Sequence, residues 1–155
     1  MPIWVDADSC PKVLKEMLYK AAERRQIPLY LVANHSLQIP RSPYIKAVQV
    51  EQGFDVADRY IEERIAPGDL LISNDIPLAA AVVAKGALCI TSKGRLLTPD
   101  NIRDRLTMRN LQEELRSSGV QLSGPAPLGQ QDKQQFANQL DQWLQKQVKV
   151  EKEID

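Results

Sequence analysis

The sequence predicts an α/β fold in which a mostly parallel sheet is covered by helices. Short apolar runs, such as 29–33, lack polar alternation, which is typical of strands buried on both faces of a parallel sheet. Segments with apolar residues at helical spacing separate these runs. The chain of 155 residues is 43% hydrophobic, which is enough to form one domain with a sizeable core.

Strand and helix signals alternate over most of the chain. The predicted strands span 3–5, 29–33, 47–50, 69–73 and 87–91. The predicted helices span 11–26, 55–66, 77–85 and 98–118, and a last helix contains Phe136, Leu140, Trp143 and Leu144. We expect one domain at 1–147 and a disordered tail at 148–155, because that end carries no turn or capping signal.

Composition and charge exclude several classes of protein. Lys and Arg total 20 and Asp and Glu total 20, so a net charge of zero gives no general attraction to nucleic acid or membrane. The longest apolar run, 78–84, is too short to cross a bilayer, and Asp6 precedes any long apolar stretch, which argues against a signal peptide. Cys10 and Cys89 stand apart and His35 is the only histidine, which favours reduced thiols over a zinc site. We therefore expect a cytoplasmic protein without a membrane partner; the sequence leaves open whether it forms a homodimer.

Acidic side chains follow two of the predicted strands. The first strand ends on Asp6, with Asp8 two residues later. If extended geometry continues through Ala7, both carboxylates point to the same face. Asp75 follows the fourth strand. Because ligands bind in open α/β sheets outside the carboxyl ends of the strands, we expect these acids to converge if strands one and four are neighbours.

A fourth acid, Asp58, lies one turn into the predicted helix at 55–66 and could join the same cluster. Carboxylates crowded together without a basic partner predict a Mg²⁺ or Mn²⁺ site, since these ions prefer oxygen ligands. Three of the four acids also have an ordinary interpretation. Asp8 and Asp75 suit turn or helix-capping positions, and Asp58 suits a solvated helix face.

Basic residues cluster after the fifth strand. Gly94 stands between Lys93 and Arg95, and a glycine there would let backbone amides approach a phosphate. We predict phosphate contacts for Lys93 and Arg95. The arginines that follow, Arg103, Arg105 and Arg109, are interpreted as a solvated helix face.

Four motifs resemble the bacterial YaiI/YqxD family, a group without a characterised function. They are WVDADSCP at 4–11, GFDVAD at 53–58, GDLLISNDIPLA at 68–79 and GPAP at 124–127. The resemblance implies a PIN-like three-layer sandwich with a mostly parallel central sheet flanked by helices. It also implies metal-ligating acids at Asp6, Asp58 and Asp75, with Asp8 as an additional one. Asn74 departs from the family pattern, in which a small residue is expected.

Three functions are compatible with these residues. The first is a Mg²⁺- or Mn²⁺-dependent nuclease on RNA or single-stranded DNA, with Asp6, Asp8, Asp58 and Asp75 as catalytic ligands. The second is a phosphatase of the haloacid-dehalogenase type with Asp6 as nucleophile. Against it, Cys10 stands where threonine or valine is usual, and no late paired-acid motif follows. The third is a PIN-like module that binds without catalysis.

Overall fold

A computed structural model describes residues 1–53, 55–119 and 128–154, with side chains up to residue 147. The GPAP motif at 124–127 therefore lies outside the described residues, as does most of the predicted loop at 119–131. The predicted division into a domain at 1–147 and a tail stays a prediction.

The sheet has six strands in the order β3-β2-β1-β4-β5-β6. They span Ile3–Asp6 (β1), Leu29–Ala33 (β2), Ile45–Gln49 (β3), Leu70–Ile72 (β4), Leu88–Ile90 (β5) and Leu96–Leu97 (β6). The first five are parallel and β6 runs antiparallel to β5. The predicted α/β class with a mostly parallel sheet is confirmed.

Among the described residues, five α-helices cover the two faces of the sheet. They span Lys12–Arg25 (α1), Val56–Arg64 (α2), Ile76–Ala84 (α3), Ile102–Ser117 (α4) and Gln130–Ile154 (α5). Helices α1 and α5 pack on one face, α2 and α3 on the other, and α4 lies against α3. The result is a three-layer α/β sandwich, as predicted.

The side-chain alternation of β1 shows how the sheet divides the core. Ile3 and Val5 point towards α1 and α5, and Trp4 points towards α2 and α3. All three are buried. Because both faces of β1 are buried, apolar residues are favoured along the whole strand. The first polar residue of β1 is therefore Asp6, at its carboxyl end.

The sheet has a topological switch point between β1 and β4. The chain adds β2 and β3 on one side of β1 and then crosses over to add β4 to β6 on the other side. This change of direction leaves a crevice at the carboxyl ends of β1 and β4. Val5 is paired with Ile72, so β1 and β4 are neighbours as the sequence analysis required. In open sheets of this order, ligands bind at the carboxyl ends of the two strands that flank the switch point.

Two features differ from the sequence prediction. The chain turns into a 3₁₀ helix at Ala7–Ser9 and does not stay extended through Ala7. The two-residue strand β6 was not predicted, because so short a strand carries no periodicity. Among the described residues, no helix is both long and apolar enough to cross a membrane.

Candidate carboxylate crevice

Three acids from three different elements meet at the switch point. Asp6 is the last residue of β1, Asp75 precedes α3, and Asp58 lies in the first turn of α2. Their charges act on one another: Asp75 raises the pKa of Asp6, and both Asp75 and Asp6 raise the pKa of Asp58. The structure therefore brings these three predicted residues together.

Asp6 is held by two hydroxyl groups. Its Oδ2 atom accepts hydrogen bonds from Ser73 Oγ at 3.0 Å and from Ser9 Oγ at 3.1 Å. The Ser73 hydroxyl is itself oriented by the backbone N–H of Asp75, which donates to Ser73 Oγ at 3.0 Å. Burial is the largest influence on the pKa of Asp6 and raises it, although the two hydroxyls act in the opposite direction.

Asp58 and Asp75 line the same cavity of the crevice. Burial, and after it the charge of the neighbouring Asp75, raise the pKa of Asp58 from 3.8 to about 7. Asp75 also caps α3, since its Oδ1 accepts a hydrogen bond from the backbone N–H of Leu78 at 3.0 Å. The capping interpretation of Asp75 is therefore correct, and it does not remove the residue from the crevice.

Asp8 is directed away from this cluster, which corrects the expectation that it shares a face with Asp6. The 3₁₀ turn rotates its side chain, so that Oδ1 lies 2.8 Å from His35 Nδ1 and Oδ2 accepts the Asn34 backbone N–H at 3.1 Å. Asp8 still raises the pKa of Asp6 through its charge, as the weakest of five influences. Its carboxylate is already occupied by two donors of the protein.

Lys93 and Arg95 lie in the turn between β5 and β6 and do not line either of the cavities at the crevice. Gly94 serves packing: a Cβ atom there would lie 2.4 Å from the backbone nitrogen of Phe136 in α5. Its own amide donates to the carbonyl of Thr91 at 2.9 Å, so it is not free for a phosphate. Phosphate contact by Lys93 and Arg95 stays a prediction, but the Gly94 amide, which was the reason for it, is already hydrogen-bonded within the turn.

Helix α4 supplies two basic residues that the sequence analysis had assigned to a solvated face. A cavity of about 610 Å³ is lined by Asp6, Asp75, Arg105 and Arg109. A second cavity of about 520 Å³ is lined by Asp58, Asp75 and Arg109. The spacing of four residues between the two arginines was the available signal, because it places both on one side of a helix.

Other polar and nucleophilic groups near the crevice have structural partners. Asn74 Oδ1 accepts hydrogen bonds from the Ser92 backbone N–H at 2.9 Å and from Ser92 Oγ at 3.0 Å, which ties the crevice to the β5–β6 turn. Burial raises the pKa of Cys10 and of Cys89 to about 12. Both thiols are therefore protonated at neutral pH and are poor nucleophiles.

The donor set fits a divalent cation that takes two carboxylates at a time. Among the described residues, no three His, Cys, Asp or Glu side chains lie close enough together to hold one ion. Asp75, however, lines one cavity together with Asp6 and a second cavity together with Asp58. Mg²⁺ is commonly held by one or two carboxylates, with water and phosphate oxygens completing its shell. These two pairs are the residues that would hold such an ion.

The fold and the crevice define a three-layer α/β protein with a carboxylate cluster at the topological switch point of its sheet. The sequence model of the uncharacterised bacterial YaiI/YqxD family matches residues 4–146. The chain belongs to this family, as its motifs predicted.

Curated relatives cover almost the whole chain. A UPF0178 protein of Shewanella amazonensis is 58% identical over 144 residues, which are 93% of this chain and 97% of the relative. UPF0178 proteins of Aeromonas salmonicida and Dechloromonas aromatica are each 56% identical over 146 residues, 94% of this chain and 97% of theirs. No solved structure matches the chain.

Proposed function

We propose that this protein is a Mg²⁺- or Mn²⁺-dependent nuclease that hydrolyses phosphodiester bonds of RNA or single-stranded DNA at the carboxylate crevice. The observation that carries the proposal is that Asp75 lines one cavity with Asp6 and an adjoining cavity with Asp58. Burial, together with the charges of the neighbouring acids, raises the pKa of Asp6 and of Asp58 above the ordinary value. In the described part of the chain, none of the three forms an ion pair with Lys, Arg or His. A divalent cation would offset the repulsion between these acids.

Each acid has a distinct part in this proposal. Asp75 belongs to both carboxylate pairs, and the Leu78 N–H fixes its orientation. The Ser73 and Ser9 hydroxyls fix Asp6. Burial and the Asp75 charge raise the pKa of Asp58 to about 7, and a bound cation would favour its ionised form, which is the form that acts as a ligand. When bound, a divalent ion would polarise the phosphoryl group and increase the acidity of water.

The phosphatase hypothesis receives less support from the same geometry. It requires a second acid beside the nucleophile Asp6, to protonate the leaving group. Asp8 is the residue in that sequence position, but its carboxylate is bound by His35 and by the Asn34 amide.

The test is cleavage of fluorescently end-labelled single-stranded RNA and DNA in the presence of Mn²⁺ or Mg²⁺. We expect Asp6→Asn and Asp75→Asn to reduce the rate by about 100-fold or more, since each removes a ligand charge. Both keep a side-chain oxygen for the hydrogen bonds with Ser73 and Leu78, so the fold should be retained. Asp104→Asn, an exposed acid of α4 that lines neither cavity, is the matched control and should cleave at the wild-type rate.

Two results would overturn the proposal. One is a wild-type protein that cleaves no faster than Asp6→Asn under any of these conditions. The other is metal-dependent release of phosphate from a monoester with no cleavage of the strand, which would assign phosphatase chemistry to the crevice.

A further inference from the structure

Helix α4 is an exposed helix that is placed directly beside the crevice. It has no buried residue and packs against α3, whose amino terminus carries Asp75. Met108 is 53% exposed although it lines the cavity at Asp6. The face of α4 that borders the crevice is therefore open to solvent and to ligands.

Two arginines of this face have no ion-pair or hydrogen-bond partner for their guanidinium groups among the described residues. Arg105 and Arg109 are one turn apart on α4 and border the cavities that contain the carboxylates. An arginine that only neutralised the nearby acids would be expected to pair with one of them, because the bidentate geometry is favourable.

The two cavities have the size and connection needed for a flexible strand. Asp75 and Arg109 line both of them, so the cavities adjoin along these two residues. Their volumes of about 520 and 610 Å³ are in the range of pockets for small organic groups. A single strand can bend to place successive nucleotides in adjoining pockets, whereas a duplex resists bending over such short distances.

We propose that Arg105 and Arg109 form a phosphodiester-binding site for single-stranded nucleic acid. Arg109 binds the phosphate that lies at Asp75, and Arg105 binds the neighbouring phosphate beside Asp6. The two guanidiniums supply local positive charge at the crevice of a protein whose net charge is zero. The inference rests on the proposed function for its ligand class, and it adds the residues that hold the strand.

The test is the binding of fluorescein-labelled oligo-dT and oligo-U, each twelve nucleotides long. Affinity is measured by fluorescence anisotropy in the presence of EDTA, so that no metal-dependent cleavage occurs. We expect the double variant Arg105→Gln/Arg109→Gln to bind at least about 10-fold more weakly than wild type at low salt. Its plot of log affinity against log salt should be shallower by about 1.4, since each lost phosphate contact on a single strand removes about 0.7. Both probes should respond, because the phosphate is common to them.

Arg103→Gln is the matched control, because Arg103 is an exposed arginine of the same helix that lines neither cavity. It should bind with the wild-type affinity. Asp6→Asn should bind at least as tightly as wild type in the same titration, since it removes a negative charge from the crevice. A duplex of the same length should bind more weakly than either single strand.

The inference is overturned if the double variant binds like wild type, if Arg103→Gln weakens binding equally, or if the duplex binds as tightly as the single strands. It fails separately from the proposed function. Arginine-dependent binding without any metal-dependent cleavage would support the inference and reject the nuclease. Cleavage that is unaffected by the double variant would reject the inference and keep the nuclease.

Discussion

Two aspartates on opposite edges of the sheet have opposite surroundings. Asp69 precedes β4 at the amino edge and is 3% exposed. Its Oδ2 accepts hydrogen bonds from Trp4 Nε1 at 3.2 Å and from the Ala66 backbone N–H at 2.9 Å. Asp6 ends β1 at the carboxyl edge, where its donors are two serine hydroxyls and its other close influences are acids.

The difference shows what turns a carboxylate into a structural or a reactive group. Asp69 ties a loop to the stacked pair of Trp4 and Tyr30, whose ring centroids are 4.6 Å apart. Burial raises the pKa of Asp6, and the charge of Asp75 raises it further. An acid with dedicated donors strengthens the fold, and an acid crowded by other acids leaves charge that a ligand can offset.

The largest difference is expected when the two acids are substituted. Asp69→Ala should lower the free energy of unfolding by about 2–4 kcal/mol, because it leaves the Trp4 N–H and the Ala66 N–H without an acceptor. Asp69→Asn keeps an acceptor oxygen and should lose less than about 1.5 kcal/mol. Asp6→Asn should leave stability at pH 7 unchanged or slightly higher. Urea unfolding measures all three; equal losses for Asp69→Ala and Asp6→Asn would remove the distinction between the edges.

A smaller effect is expected from a divalent cation, and only at the carboxyl edge. Mn²⁺ at 100 times its dissociation constant should stabilise the wild type by about 2.7 kcal/mol. Asp75→Asn should abolish this gain while keeping the cap of α3, because asparagine is as good a capping residue as aspartate. Asp69→Asn should keep the full gain. Thermal melting with and without Mn²⁺ measures the shift, and an equal response of all variants would place the ion elsewhere.

The smallest effect is the pH dependence of the metal-free protein. Asp58 has a pKa of about 7 in the folded chain and an ordinary value of 3.8 in the unfolded chain. The folded state therefore holds a proton that the unfolded state has released, so stability falls as the pH rises from about 4 to about 7. We expect a loss of about 1 kcal/mol from Asp58, once solvent screening of this half-exposed group is included. Asp58→Asn should flatten the profile in EDTA; a variant with the wild-type slope would contradict the assignment.

Much of the fold could be predicted from the sequence because the burial of an element produces a recognisable pattern of apolar residues. The continuous apolar run at 29–33 predicted a strand covered on both faces, and β2 occupies those residues. The strand β6 shows no such pattern, since Leu96 and Leu97 are too few for a periodicity. Its position depends on the turn that Gly94 packs against α5, which is a contact between distant parts of the chain.

The candidate site was predicted only in part. Asp6, Asp58 and Asp75 were named from strand ends and helix position, and the structure brings them together. Asp8 was grouped with Asp6 by strand alternation, but a 3₁₀ turn and the donors of Asn34 and His35 redirect it. No rule of side-chain periodicity anticipates where a strand gives way to a turn.

By itself, the sequence determined which residues are buried and which acids stand at the ends of strands, because both follow from the spacing of residues within one element. Only the tertiary structure decided that β1 lies beside β4 and that α4 presents Arg105 and Arg109 to the crevice. These placements depend on how elements far apart in the chain pack against one another. The charge of the crevice is the sum of charges from residues of several elements, so no single segment of the sequence determines it.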